Sequence, residues 1–357
     1  MAMKALRFHA RRDLRIDEVA EPSPPKGNEV VLDITLCGIC GTDLHEYLGG
    51  PIILPVEPHP ISGAKLPMIL GHEFSAKIAQ IGPDVAGYSV GERVAVLPHL
   101  MPKDDFYVQR NLGQFSPDTG LVGLTWHWGG MAPKAMVPAE NLVKLPDSVS
   151  DVQGAMLEPA AVAINALDET HFAAGQTMLI TGAGPIGALT ALAARAAGAS
   201  RIYIYDPNAA RLERLKDFPE FSLFSGDQAE LLAAIARETE SGIGVDVAVE
   251  CAGHVSALDL CIEATKRTGH VALVGLISGQ TPIDLFKVCE KGLRLIGCWG
   301  NDFTLGPRLV SMIESGRFPV ECLVTDTVSL DDAITDGFDV LAQPGSDHLK
   351  ILIDMRP

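Results

Sequence analysis

Three short segments carry side chains able to bind a metal. Cys37-Gly38-Ile39-Cys40-Gly41-Thr42-Asp43-Leu44-His45 follows a run with strand character, Gly71-His72-Glu73 comes next, and Leu157-Glu158-Pro159 lies further on. A thiolate, an imidazole and a carboxylate from separate segments suit a catalytic Zn²⁺ with one position open to water or substrate. Taken alone, the residues leave two other readings. Cys37 and Cys40 could instead be a CxxC redox pair, although no thioredoxin-like βαβ unit follows them, or plain buried thiols.

A second chemistry is written between Thr177 and Asp206, TMLITGAGPIGALTALAARAAGASRIYIYD. An apolar run, Met178 to Ile180, leads into Gly182-Ala183-Gly184-Pro185-Ile186-Gly187. An alanine-rich helical segment runs to a capping Gly198, and a second apolar run delivers Asp206. Strand, glycine turn, helix, strand and acid in this order make a dinucleotide fingerprint, where a bare GxGxxG would read as a turn in any α/β domain. Gly182 permits the tight turn, Gly184 lets backbone approach a pyrophosphate, and Gly187 lets helix pack on strand. The helix N-terminus offers unpaired N–H groups and a positive dipole end. Asp206, about 20 residues past the last glycine, can accept hydrogen bonds from ribose hydroxyls and repel a 2′-phosphate, which favours NAD over NADP. Arg211 follows it in the expected cofactor-binding set.

The elements that must position these groups change character along the chain. Residues 4 to about 150 read as β-rich: Val30, Leu32, Ile34 and Leu36 alternate with Val31, Asp33 and Thr35 as in a half-buried strand. Residues 46–70 are rich in proline and read as a long ordered loop. From about 160, helices and strands alternate. Asp206-Pro207 opens one helix and Asp227–Glu240 forms another. Val245–Glu250, His270–Gly275 and Leu293–Cys298 read as strands of a doubly wound sheet, and His348–Ile353 as a final strand. The boundaries expected are 1–159, 160–300 and 301–357, the last segment returning to the first domain.

Composition narrows the class. The chain has 357 residues, 47% of them hydrophobic, and a formal charge of −17. That length suits two domains, and that charge excludes nucleic acid or an anionic membrane as main partner. With no signal-peptide pattern and no apolar run of spanning length, a cytoplasmic protein is expected. Seven cysteines, an odd number, do not read as a disulfide framework.

Taken together, CGICGTDLH, GHE, Gly91-Glu92-Arg93-Val94, Gly129-Gly130-Met131-Ala132, Leu157-Glu158-Pro159 and GAGPIG resemble the zinc-dependent medium-chain alcohol dehydrogenase family over essentially the whole length. Within it, LHEYLGGPIILPVEPHPISG and Glu158-Pro159 look most like the (R,R)-2,3-butanediol dehydrogenases, with sorbitol and threonine dehydrogenases as near relatives. The resemblance implies an α/β protein with a GroES-like β-rich catalytic domain and a Rossmann domain. It implies zinc bound by Cys40 and His72, with Glu158 where ethanol-type relatives place a second cysteine. Glu73 is implied either as a ligand that exchanges with water or as a group behind the ligands. Cys37 is not an implied ligand. Asp43 would accept the spare N–H of His72, its plainer reading being a turn cap.

By the same resemblance, Thr42 accepts the proton of the alcohol, the cofactor ribose passes it on, and His45 releases it to water. Their plainer readings are a helix cap and an exposed histidine. Backbone around Val274-Gly275-Leu276 and Cys298-Trp299-Gly300 stands where relatives hold the nicotinamide carboxamide. Trp126, Trp128 and Trp299 are candidates for a pocket wall, although aromatics more often pack in a core. The expected activity is NAD-dependent interconversion of a secondary alcohol or vicinal diol and its ketone, with 2,3-butanediol and acetoin as best guess. Polyol or threonine oxidation, and a catalytically dead or crystallin-like protein, are the rivals. Relatives form dimers or tetramers through the edge strand near Leu293–Cys298.

Two departures from the family pattern stand out. Residues 95–130 contain no cysteine, so one catalytic zinc per chain and no structural zinc is expected, with His99 and His127 as packing or surface residues. Ala76 replaces the glycine of GHExxG.

Overall fold

The computed structural model describes residues 1–277, 279–280, 282–301, 303–343 and 345–356. The chain divides into two compact units: Met1–Glu158, Asp302–Ser315 and Val324–Pro357 in one, Pro159–Asn301 and Gly316–Leu323 in the other. Residues 316–323, inside the segment expected to return to the first domain, thus join the second unit. The reason is burial: Phe318, Val320 and Leu323 are buried, and the turn Val320–Leu323 packs on the helix Pro185–Ala196.

The strand Glu29–Gly38 is the hub of the first unit. It pairs antiparallel with Glu73–Ile81, with Lys134–Pro138 and with Lys350–Asp354. The order across this sheet is Leu142–Lys144, Arg93–Val96, Glu73–Ile81, Glu29–Gly38, Lys350–Asp354, Val324–Ser329. A smaller sheet joins Asp13–Ala20, Ala2–Ala10 and Met68–Ile69. The expected half-buried alternation in the hub is corrected. Val31 and Thr35 are buried like their apolar neighbours, and Asp33 alone is exposed. A central strand with partners on both edges and packing on both faces leaves no polar face to solvent. Ala76 pairs with Ile34 and Val94 with its methyl in the core, beside a register shift of the hub strand between Ile34 and Leu36.

Six parallel strands form the second unit's sheet, in the order Phe221–Phe224, Arg201–Tyr205, Thr177–Thr181, Val245–Glu250, Thr265–Leu273, Arg294–Gly297. Chain order reverses between Thr177–Thr181 and Val245–Glu250, the switch point at which doubly wound sheets bind ligands. Leu179, Ala248 and Val271 from neighbouring strands share a core with Leu231 and Ile235 of the helix Gln228–Glu238. One helix start is corrected. Asp206 Oδ1 accepts the Asn208 N–H at 2.8 Å, so the helix begins at Ala209, capped by Asn208, rather than at Pro207. The strand expected at His270–Gly275 spans Thr265–Leu273. All seven cysteines are reduced, and no described helix is long and apolar enough to cross a membrane.

Candidate functional site

Cys40 follows the end of the hub strand and caps the helix Gly41–Gly49. Its Sγ accepts the Thr42 N–H at 3.5 Å, while Asp43 Oδ2 accepts the Cys40 N–H at 3.0 Å. Glu73 opens the neighbouring strand directly opposite Gly38, which sets His72 and Glu73 beside Cys40. Ligand atoms of Cys40, His72 and Glu73 lie within 4.8 Å of one another. His72 and Glu73 are buried and Cys40 is half-buried. Glu158, also buried, stands in the first turn of the helix Leu157–Glu169 and feels the charges of His72, Glu73 and Asp43.

The electrostatics suit a cation. Burial pushes the Glu158 carboxyl up to about 7, against the pull of His72. Burial disfavours a proton on His72, yet Asp43 and Cys40 together hold it well above the ordinary imidazole range. His72 Nδ1 faces Asp43 Oδ1 at 3.6 Å, beyond hydrogen-bond length. His72 Nδ1, Asp43 Oδ1 and Glu73 Oε1 are buried without a hydrogen-bond partner. Buried unpaired donors and acceptors of this kind are costly, and an anionic thiolate–carboxylate set around an imidazole fits a divalent zinc ion. Cys37 stands outside the group. It is fully buried with Sγ 3.6 Å from the Gly38 carbonyl, and desolvation drives its thiol well above the usual range. Such a thiol is poorly suited to redox exchange.

In the second unit the glycine turn has the shape its sequence requires. Gly182 has φ +91°, open to glycine at little cost. A Cβ at Gly187 would overlap Gly182 O, and one at Gly184 would meet nothing. Gly184 caps the helix Pro185–Ala196 with no side chain over its first N–H groups, leaving those of Ile186 and Gly187 for an anion. Asp206 is 3% exposed. Its Oδ2 accepts the Ala183 N–H at 2.7 Å and lies 3.8 Å from Arg211.

Family models match both parts of the chain. Residues 26–147 match the alcohol dehydrogenase GroES-like domain, and residues 185–315 match the zinc-binding dehydrogenase domain. The (R,R)-butanediol dehydrogenase of Bacillus subtilis is 36% identical over 354 residues, covering 98% of this chain and 99% of that protein. The chain belongs to the zinc-dependent medium-chain alcohol dehydrogenase family. The crystal structure of 2R,3R-butanediol dehydrogenase from Bacillus subtilis superposes with a TM-score of 0.91 at 35% identity, covering 99% of each chain. An L-threonine 3-dehydrogenase of Ruegeria pomeroyi is 32% identical over 90% of this chain and 91% of that one. The chain is thus an oxidoreductase with a GroES-like and a Rossmann-type domain.

Within this family frame the remaining expected residues fall as follows. Thr42 and His45 lie one turn apart on the helix Gly41–Gly49, the first half-buried and the second exposed. The Val274 N–H donates to Glu250 O at 3.0 Å, and the Cys298 N–H to Leu273 O at 2.9 Å; Leu276 and Trp299 are exposed. Trp126 and Trp128 pack against the first unit's core, with the Trp126 indole donating to Met136 O at 2.8 Å. His127 is exposed and contacts the Ser62 carbonyl; His99 is buried, and burial with His72 nearby pushes it down to about 4.

Two charged residues escaped the sequence reading. Glu46 is buried and accepts the N–H groups of Ile52 at 2.8 Å and Ile53 at 2.5 Å, tying down the proline-rich loop. Lys350, 1% exposed, pairs with Glu73 at 2.6 Å. A lone lysine inside the apolar run His348–Ile353 was the available signal, since a buried lysine demands an anion.

Proposed function

We propose that the chain is an NAD-dependent, zinc-containing dehydrogenase that interconverts a secondary alcohol or vicinal diol and its ketone, with 2,3-butanediol and acetoin as the pair. The observation that carries this reading is the Cys40–His72–Glu73 group, with His72 and Glu73 buried, beside Glu158 in a member of a zinc-binding dehydrogenase family. Cys40, His72 and Glu158 would hold the zinc, with Glu73 as a donor that exchanges with water or a group behind the ligands. When bound, zinc supplies Lewis acidity at the substrate hydroxyl, and NAD supplies a hydride acceptor. Asp43 orients the His72 ring from behind. Thr42 accepts the hydroxyl proton in the half-buried site, and exposed His45 releases it to water.

On the cofactor side, the N–H groups behind Gly182, Gly184 and Pro185, at Ile186 and Gly187, would receive the pyrophosphate. Asp206 supports NAD. A carboxylate offers about four lone-pair sites, so accepting the Ala183 and Asn208 N–H groups leaves capacity for ribose hydroxyls. Arg211 steadies that carboxylate. Backbone at Val274, Leu276, Cys298 and Trp299 would hold the carboxamide. The edge strand Arg294–Gly297, half-open to solvent, supports a homodimer or homotetramer.

The butanediol relatives support the substrate, and the threonine 3-dehydrogenase relative supports an amino-alcohol or polyol as second reading. The test follows NADH absorbance with NAD⁺ and each 2,3-butanediol stereoisomer, with sorbitol and threonine alongside and a chelator-treated control. Turnover of the (R,R) or meso diol, abolished by chelation, is expected. Turnover of threonine or sorbitol alone would replace the substrate. Activity surviving verified zinc removal would sink the metal site, and silence on every substrate would favour a catalytically dead or structural protein.

A further inference from the structure

Lys350 is buried within the first unit's main sheet, where an ammonium without a partner would be very costly. Its Nζ donates to Glu73 Oε2 at 2.6 Å and to the Ile39 carbonyl at 3.1 Å. Strand register explains how residues so far apart in sequence meet. Glu73 is the partner of Gly38 on one side of the hub strand, and Leu352 is its partner on the other. Glu73 therefore has to pass over Gly38 to reach Lys350. A Cβ at Gly38 would overlap Glu73 Oε2, so the missing side chain is what lets the two charges join. Oε2 is thereby held toward the ammonium, while Oε1 is buried with no hydrogen-bond partner. A carboxylate oxygen of the same residue lies within 4.8 Å of ligand atoms of Cys40 and His72.

We infer that Lys350 is a positioning residue that sets how Glu73 meets the metal: it retains Oε2, so that Glu73 offers Oε1 alone and cannot chelate through both oxygens. The inference rests on the zinc reading above and goes beyond it by assigning a role to a residue outside the ligand set. Carboxylates bind metals through one oxygen or two, and a catalytic zinc site keeps a position open only if its donors do not fill it. With the ammonium gone, the buried carboxylate would lose its counter-charge and turn both oxygens to the nearest cation.

Replacing zinc by Co²⁺ gives a readout other than activity, because the intensity of cobalt's visible bands falls as its coordination number rises. In K350M the bands should weaken relative to wild type, and release of the metal to a chelator should slow by about tenfold, the size but the opposite sense of the usual effect of groups behind metal ligands. Since Lys350 acts through Glu73, E73Q and E73Q/K350M should give the same spectrum. If K350M alone does not fold, K350R, which keeps a cation opposite Glu73, takes its place: a wild-type-like cobalt spectrum is expected, and a changed one with cobalt bound overturns the inference. Spectra and release rates of K350M equal to wild type, with cobalt bound in both, overturn the inference alone. A difference between E73Q and E73Q/K350M as large as that between wild type and K350M overturns it too. Wild-type protein that takes up no cobalt overturns the zinc reading itself, and the inference with it.

Discussion

Asp43 had two readings as a residue, a turn cap and a hydrogen-bond partner for His72; its geometry makes the cap and leaves the imidazole 3.6 Å away, too far for a hydrogen bond. One oxygen accepts the Cys40 N–H, and the other faces the His72 ring. D43N preserves the shape and one acceptor for the cap while removing the charge behind the imidazole. Metal affinity, measured by chelator competition, should fall by about 10–100-fold. Unchanged affinity would reduce Asp43 to a cap. Thr42 was legible through its place in CGTDLH, and the helix puts it one turn from His45. T42V removes the hydroxyl at little cost in volume, so kcat should fall by about 10²-fold while metal content stays the same. A kcat within twofold of wild type would remove Thr42 from the relay. Lys350 was legible at this scale only as a charge in an apolar run; its partner Glu73 was not, because it lies far away along the chain.

Helices and strands of the second unit were readable from apolar runs and caps because each is decided locally. Val245–Glu250 matches its expected span, and Asp227 caps Gln228–Glu238. The start of the helix after Asp206 was misread because a side-chain hydrogen bond to Asn208 competes with helix initiation. What knits the strands together is less visible. Asp246 Oδ2 accepts the Thr177 N–H and hydroxyl, each at 2.8 Å, and Oδ1 accepts Lys266 Nζ at 2.5 Å, joining the beginnings of three adjacent strands. Burial works against the charge, but Lys266 and Thr177 prevail and hold the carboxyl below its usual range. A depressed native pKa contributes stability that is present above the unfolded carboxylate value, about 3.9, and disappears as pH falls through the native value. D246N should therefore cost about 1–3 kcal/mol near pH 7. In thermal melts between pH 7 and pH 3, the gap between wild type and D246N should narrow as acid is added. A gap independent of pH would show that the charge of Asp246 is irrelevant.

For the whole molecule, the expected metal count rests on what residues 95–130 lack. Without cysteines, that segment is ordered by other means. Asp105 accepts the Tyr107 and Val108 N–H groups at 2.7 and 3.1 Å, Thr125 Oγ1 accepts the Leu121 N–H at 2.7 Å, and the Arg110 guanidinium lies 3.8 Å from the Phe106 ring centre. Elemental analysis of purified protein should give a zinc-to-chain ratio of about one, falling to near zero in C40S/H72A. A ratio of about two would mean that a second site had formed without thiolates.

The sequence by itself determined the order of motifs, the donor types around the zinc reading, the glycine turn and the family to which they point. Each of these depends on residues adjacent in the chain or on a fixed short spacing, so a local pattern is enough to reveal it. Tertiary structure alone decided that the hub strand is buried on both faces, that residues 316–323 belong with the second unit, and that Lys350 answers Glu73 across Gly38. Those outcomes depend on which strands become neighbours. Pairing between segments hundreds of residues apart is selected by collective burial and register, and no single stretch of the chain records it.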